Sequence, residues 1–585
     1  MTHPVRAWRV AVILALAPIW LVGILDRGLW TPDEPREADI SWSMSQQTDH
    51  TLPHLAGKPF LEKPPLSYWL SATAISVLGD TAAAARAPNI LYAVITALAV
   101  GSTAYLMAGS SAAFLCVLLT GSLLIAFRVT VWLAPDASLL AGCSLALYGA
   151  YAGYISTPGR RKLLGYTLMH LGAAMGFMAK SAPGWIVPAL ALGALIVWER
   201  RWTELRRPEL YAGLILQVLI IGPWIVAVAR SPIGHEALLT FFWHNLVGRF
   251  TRVAGPAALD YTTGHANWVG KYLVELPVYL LPWTLLALAA LWRAWTATRT
   301  AGLTRTAWRF SVAASLPWLV ILSAAATARD VYAAPAMPGF GLLIALWAVD
   351  RGDVRFTSRL DELALSGTRA VIALVTVVFA AFLLLLAAAA SGNPDSSPGP
   401  ALFVAAAVVI ALIAIIALWL GGKAQRRHDI DATLRCSFAA YAGVLCVACI
   451  AAFPAIDDWQ DLPALAAEVQ RETIGTPLAL LDPDETTLAI LDDRVLIPVT
   501  LLSSHDGDVE EVVSGWFRQH GRRAHILVLL PGHAEGPVSR LLSRLRPVNP
   551  PGDGVAGSLA ADHAAVIVRR LSLPQGRRYA LLGPP

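Results

Sequence analysis

Trp30-Thr31-Pro32-Asp33-Glu34-Pro35-Arg36, the stretch WTPDEPR, stands just past the first apolar run of the chain and is followed by Glu62-Lys63-Pro64-Pro65. Carboxylates and cations crowded beside a membrane segment cost free energy, and function is the usual reason they are kept. Taken alone, Asp33 and Glu34 read as well as a solvated loop with a tight turn between Pro32 and Pro35. The rest of the chain decides between the two.

Of 585 residues, 56% are hydrophobic and only 15% charged, and the mean hydropathy is +0.57. Such a chain is too apolar and too long for one water-soluble globule and reads as a polytopic membrane protein. The net charge of +5 raises nucleic acid as a partner. Arg and Lys fall in short loops between apolar runs, however, as membrane topology requires, and no nucleic-acid motif is present. Cys116, Cys143, Cys436, Cys446 and Cys449 lie in or beside apolar runs, where a thiol behaves as a small hydrophobe, so no disulfide framework is implied. Residues 8–25 follow Arg6 and Arg9 without a small-residue cleavage site and read as a retained first span.

A bilayer core takes about 20 apolar residues per helix. Thirteen runs qualify: 8–25, 86–108, 112–128, 136–155, 163–180, 183–199, 209–230, 271–292, 307–326, 332–349, 369–390, 401–420 and 436–454. Alternate loops carry the basic residues, among them Arg160-Arg161-Lys162, Arg200-Arg201, Arg206-Arg207 and Arg426-Arg427. These belong on the cytoplasmic side. The expected plan has a membrane domain over 1–455, an N-terminus inside and a C-terminal domain outside, with large outer loops at 26–85 and 231–270. Only six lysines occur, and Lys58, Lys63, Lys180 and Lys271 fall near outer ends, against the basic-inside trend. An anion-binding outer cavity accounts for that departure.

Segment 64–79 is helical in pattern, but counting it as a span inverts every later loop, so it reads as an interfacial helix, with 36–47 as a second. From Asp457 the composition becomes that of a soluble domain. Strand-like runs at 477–482, 494–500, 524–530 and 563–570 alternate with helical patterns at 508–519 and 533–545, giving an α/β module over 456–585. The fold class is therefore an all-α polytopic membrane protein with outer-face interfacial helices and a small C-terminal α/β domain. That module has no glycine-rich phosphate loop and no nucleophile motif, which favours binding or packing over catalysis of its own.

Further polar residues recur at outer ends: Asp136 in LAPDASLL, Lys180 in FMAKSAPGW, His244 and Arg249 in FFWHNLVGRF, and Tyr332 in ARDVYAAPAMP. Each has a bland reading, Asp136 as a helix cap, Lys180 as a snorkelling side chain and His244 as a surface histidine. Their convergence on one membrane face favours a site.

The ordered stretches WTPDEPREADI, FLEKPPLSYWL, AARAPNILY, APDASLL, AKSAPGWIVP, FFWHNLVGRF and VYAAPAMP resemble the GT-C glycosyltransferases, specifically the lipid A aminoarabinose transferase and protein O-mannosyltransferase-like group, over roughly residues 25–340. The resemblance implies an integral membrane enzyme of the bacterial inner membrane with a periplasmic C-terminal domain. It implies an inverting transfer of a sugar from a polyprenyl phosphate to lipid A or another envelope acceptor. Asp33 matches the catalytic aspartate, which accepts the acceptor's proton or steadies positive charge developing on the sugar. Asp136 matches a second acidic position.

Arg36, Lys63, Lys180, Arg249 and the Tyr332 hydroxyl are expected to bind the donor phosphate as the glycosidic bond breaks. Glu62 and His244 match positions that bind a divalent metal in some relatives, and a carboxylate with an imidazole suits zinc. Arg329-Asp330-Val331 departs from the lysines that relatives carry before the tyrosine. The rival classes are a transporter or flippase of lipid-linked sugars, although no inverted repeat is detectable, a protein O-mannosyltransferase, and a non-catalytic polyprenyl phosphate binder.

Overall fold

The computed structural model describes residues 3–245, 267–300, 302, 304–325, 329–352, 358–391, 399–491, 499–504, 508–531, 553–573 and 575–585, with side chains from residue 10 onward. Two compact units are present. One comprises Met1–Asp26, Gln47–Pro53 and Phe60–Ala452, and the other Arg27–Gln46, His54–Pro59 and Phe453–Pro585.

The first unit is a bundle of apolar helices. Among the described residues, eight helices are long and apolar enough to cross a membrane, or nine if one sharply bent pair counts as a span. The chain is thus a multi-pass membrane protein. Helices Asp136–Ile155 and Pro183–Glu199 coincide with runs expected from sequence, the second with Pro183 in its first turn, where a missing N–H costs nothing. Runs 163–180, 369–390, 401–420 and 436–454 likewise fall within continuous helices, whereas other runs are divided. Run 271–292 is two helices, Lys271–Tyr279 and Thr284–Ala297, bent by 118°. Pro282 falls in the break and has no N–H to continue the ladder. Run 307–326 divides into Arg305–Ala313 and Leu316–Ala324, with Pro317 in the first turn of the second. Hydropathy registers the apolar character of such segments and not their continuity.

The helix pair Asp136–Ile155 and Arg160–Lys180 forms an antiparallel hairpin packed on small residues. At Gly149 a Cβ would meet the Met169 nitrogen at 2.2 Å, and at Gly142 the Gly176 nitrogen at 2.5 Å, so glycine is what permits this approach. Helices of 20 and 21 residues each rise about 30 Å. The start of the first therefore lies level with the end of the second. Helix Leu66–Leu78, expected as interfacial, is present.

In the second unit, helix Glu34–Gln46 accompanies a five-stranded sheet. The sheet order is Val499–Leu502, Leu478–Leu481, His525–Leu530, Arg578–Gly583, Val566–Ser572; the first three strands are parallel neighbours and the last two pair antiparallel. Side chains alternate between two cores: Leu481, Ile526, Val528 and Leu582 meet Val513, Trp516 and Phe517, while Leu478, Leu480, Leu527 and Leu581 meet Leu465, Val469 and Leu491. Helix Val509–His520 lies where the pattern placed it, its N-cap Asp508 accepting from the Glu510 N–H at 3.2 Å. Run 533–545 lies outside the described residues. The fifth strand, Arg578–Gly583, was not expected from sequence.

Candidate active site

The helical hairpin brings Asp136, first residue of its helix, to Lys180, last residue of the next. Lys180 Nζ lies 2.6 Å from Asp136 Oδ1, and the side chains are 13% and 7% exposed. Asp136 is therefore not a helix cap, and Lys180 does not simply snorkel. The Lys180 ammonium also stands 4.6 Å from the centre of the Tyr332 ring. Tyr332 belongs to the short helical turn Asp330–Ala336, and Trp318 Nε1 donates to its carbonyl at 2.9 Å.

Lys63 is buried, with its Nζ 3.7 Å from Glu62 Oε2. The strand of chain that carries both is fixed from a distance: Asn245 Nδ2 donates to the carbonyls of Leu61 at 2.7 Å and Glu62 at 3.2 Å. Glu62, Lys63, Lys180, Asn245 and Tyr332 line a single cleft, whose apolar wall is supplied by Leu139, Ile186, Trp318 and Leu322. Two ammonium groups beside an apolar wall suit an anion that carries an apolar tail. Of the four lysines expected on the outer face, Lys63 and Lys180 line this cleft.

Asp33 and Arg36 lie in the other unit. Arg36 directs its guanidinium to carboxylates: Nη2 is 3.4 Å from Asp33 Oδ1 and 2.6 Å from Glu37 Oε1, and Nη1 meets Glu485. That crowding of acids is a different setting from the donor-phosphate contact expected of Arg36. Glu34, left without a role by the sequence, is fully buried and pairs with both nitrogens of Arg27, at 2.5 and 2.8 Å. The same carboxylate accepts from the Trp30 N–H at 2.9 Å. Asp457 accepts from the Gly28 N–H at 3.0 Å and from Trp30 Nε1 at 2.6 Å, and Gln460 Oε1 from the Thr31 N–H at 2.9 Å.

Arg249 lies outside the described residues. His244 keeps its buried Nδ1 without a hydrogen bond among the described residues. Zinc takes four ligands in structural sites and three from the protein in catalytic ones. Among the described residues no three His, Cys, Asp or Glu side chains are grouped so as to hold a metal ion. Glu62 and His244 therefore do not by themselves fit a zinc site. Asn245, Glu485, Arg27, Asp457 and Gln460 were not singled out from sequence for these roles. Asn245 was adjacent to a flagged histidine, but nothing local marks the others.

Apolar helices with a sharply bent pair, a cleft lined by two lysines and an α/β module are those of a polytopic membrane protein with the GT-C fold. Its fold is that of the aminoarabinose transferase ArnT: the crystal structure of ArnT from Cupriavidus metallidurans bound to undecaprenyl phosphate matches with a TM-score of 0.68 at 18% identity, over 98% of each chain. The apo structure of the same protein matches equally well, at 0.68. In sequence, the family model described as dolichyl-phosphate-mannose-protein mannosyltransferase matches residues 62–226. The undecaprenyl phosphate-alpha-4-amino-4-deoxy-L-arabinose arabinosyl transferase of Pseudomonas paraeruginosa is 32% identical over 289 residues, 48% of this chain and 50% of that one. Its counterpart from Serratia proteamaculans is 28% identical over 348 residues, 59% and 60% of the two chains. The chain spans about half the length of the first of these relatives. The GT-C resemblance read from the ordered motifs is borne out.

Proposed function

We propose that this protein is an inverting glycosyltransferase that moves a sugar, 4-amino-4-deoxy-L-arabinose by preference, from undecaprenyl phosphate to lipid A. One observation carries the reading: two lysines, Lys63 buried and Lys180 13% exposed, line one apolar-walled cleft together with a tyrosine. In the proposed step an acceptor oxygen forms a bond to the anomeric carbon while the bond from that carbon to the phosphate oxygen breaks. The electron pair leaves on polyprenyl phosphate, and Lys63, Lys180 and Tyr332 meet its negative charge. Asp33 takes the acceptor's proton or, where the acceptor is already an anion, steadies positive charge on the sugar. Asp136 holds Lys180 in place, and Arg36 orients Asp33. Arg249 is assigned to the phosphate by its motif alone.

The same reading places the protein in the bacterial inner membrane with thirteen spans, the N-terminus in the cytoplasm and the domain over 456–585 in the periplasm. Support comes from the loop charges and from helix Arg160–Lys180, whose basic first turn and terminal Lys180 stand at opposite ends. Purified protein offered a panel of polyprenyl phosphate sugars with lipid A and peptide acceptors, read by mass spectrometry, tests the reaction. Transfer to lipid A that Asp33→Asn abolishes supports it; wild-type turnover in that variant refutes the role of Asp33. Transfer to a peptide hydroxyl favours the mannosyltransferase branch instead, and movement of donor across vesicles without bond cleavage favours a flippase.

A further inference from the structure

Arg36 has two close carboxylate neighbours besides Asp33, and one of them comes from a distant part of the chain. Glu37 accepts from Nε at 3.2 Å and from Nη2 at 2.6 Å, whereas Glu485 accepts from Nη1. The contact to Asp33, at 3.4 Å, is the weakest of the three. The guanidinium is planar and rigid, so ligands on two of its edges fix what the third presents. Glu485 is itself held in place. It begins helix Glu485–Leu491, whose first turn is fastened by the Thr487 N–H donating to Asp484 Oδ1 at 3.0 Å, and Arg577, beside the last strand, pairs with Asp484. Asp457 and Gln460 fasten Gly28, Trp30 and Thr31 in the same unit.

We infer that Glu485 is a positioning residue for the transfer reaction: by holding Nη1 of Arg36 it keeps the guanidinium from closing into a two-pronged pair with Asp33. The C-terminal α/β module thereby sets the orientation of the proposed catalytic carboxylate. This rests on the transfer reading above. Removing the charge of Glu485 frees Nη1 to swing toward Asp33, which then meets the acceptor from a displaced position and with its charge neutralised.

The test measures kcat, donor KM and undecaprenyl phosphate affinity for wild type, Glu485→Gln, Glu485→Asp, Arg36→Ala and the double variant Arg36→Ala/Glu485→Gln, each in detergent as the full chain. Glu485→Gln is expected to lower kcat by about 10- to 100-fold, the order that small misplacement of a reacting group costs, with donor KM and lipid affinity unchanged within about two-fold. Glu485→Asp, which keeps the charge, should lie between the two. The double variant should be no slower than Arg36→Ala, because Glu485 acts through Arg36. Wild-type kcat in either folded Glu485 variant overturns the inference. So does a double variant whose losses multiply, because that marks a role independent of Arg36. Absence of turnover in the wild type across the donor panel removes the transfer reading and this inference with it.

Discussion

Replacing Lys180 with methionine removes a cation 2.6 Å from the Asp136 carboxylate while keeping an unbranched side chain in the hairpin. Asp136 is 7% exposed, so its charge is left largely without water. Breaking a buried pair from one side costs about 3–5 kcal/mol, and the lower end applies because the pair borders an open cleft. Loss of a charge-assisted contact to phosphate costs a further 1.5–3 kcal/mol of binding, about 10- to 150-fold in affinity. A single variant cannot separate the two effects. The double variant Asp136→Asn/Lys180→Met can, because it removes the stranded carboxylate along with its partner.

Expected is a thermal midpoint in detergent that falls for Lys180→Met and for Asp136→Asn, then rises toward wild type in the double variant. Undecaprenyl phosphate affinity, measured by thermophoresis, should stay low in both variants that lack Lys180. Recovery of affinity together with stability would refute a direct role for Lys180 at the phosphate, since the lysine would then act through the fold alone.

Further outcomes follow from other parts of the molecule. Lys63→Ala should weaken undecaprenyl phosphate binding about 10- to 150-fold, and unchanged affinity would remove it from the phosphate site. Glu34→Gln removes the carboxylate charge that pairs with the buried Arg27 guanidinium, so protease cleavage within 27–46 should accelerate markedly; wild-type resistance would show that the pair contributes little. His525 opens a strand of the sheet, and burial lowers its pKa below the ordinary value of 6.5, more than Glu472 raises it. The unfolded chain then binds the proton more readily, so the contribution is complete above about pH 6.5 and declines as pH falls toward the folded pKa. Hydrogen exchange within 478–530 should quicken from pH 7.5 to 5.5 after correction for intrinsic rates, and less so in His525→Gln. Chelation should leave transfer within about two-fold, while loss that zinc alone restores would return Glu62 and His244 to a metal role.

Much of the cleft was legible because its residues sit in local motifs at the ends of apolar runs. Once 136–155 and 163–180 were read as consecutive spans, Asp136 and Lys180 had to lie on the same side of the membrane, and a tight hairpin makes them neighbours. Burial was not legible. Charged WTPDEPR suggests solvent, yet Glu34 is 0% exposed, because Arg27 and the Trp30 N–H together satisfy its carboxylate. Nor was continuity: proline and local geometry divide runs that hydropathy joins. Arg36 and Glu485 are 449 positions apart, and no spacing rule spans that interval.

The two acids of WTPDEPR show how partners assign roles that residue type cannot. Glu34 has its oxygens taken up by a guanidinium and a backbone N–H inside a closed pocket, the arrangement of a carboxylate that holds a loop together. Asp33 is more exposed, at 14% of its side chain, and its contact to the Arg36 guanidinium, at 3.4 Å, is longer than the 2.6 Å contact that Glu37 makes. On the proposed transfer reading Asp33 accepts a proton or faces a developing cation, and a tight ion pair opposes both. The anchoring of Gly28, Trp30, Thr31 and Glu34 then has a mechanical meaning: it fixes the backbone on either side of Asp33.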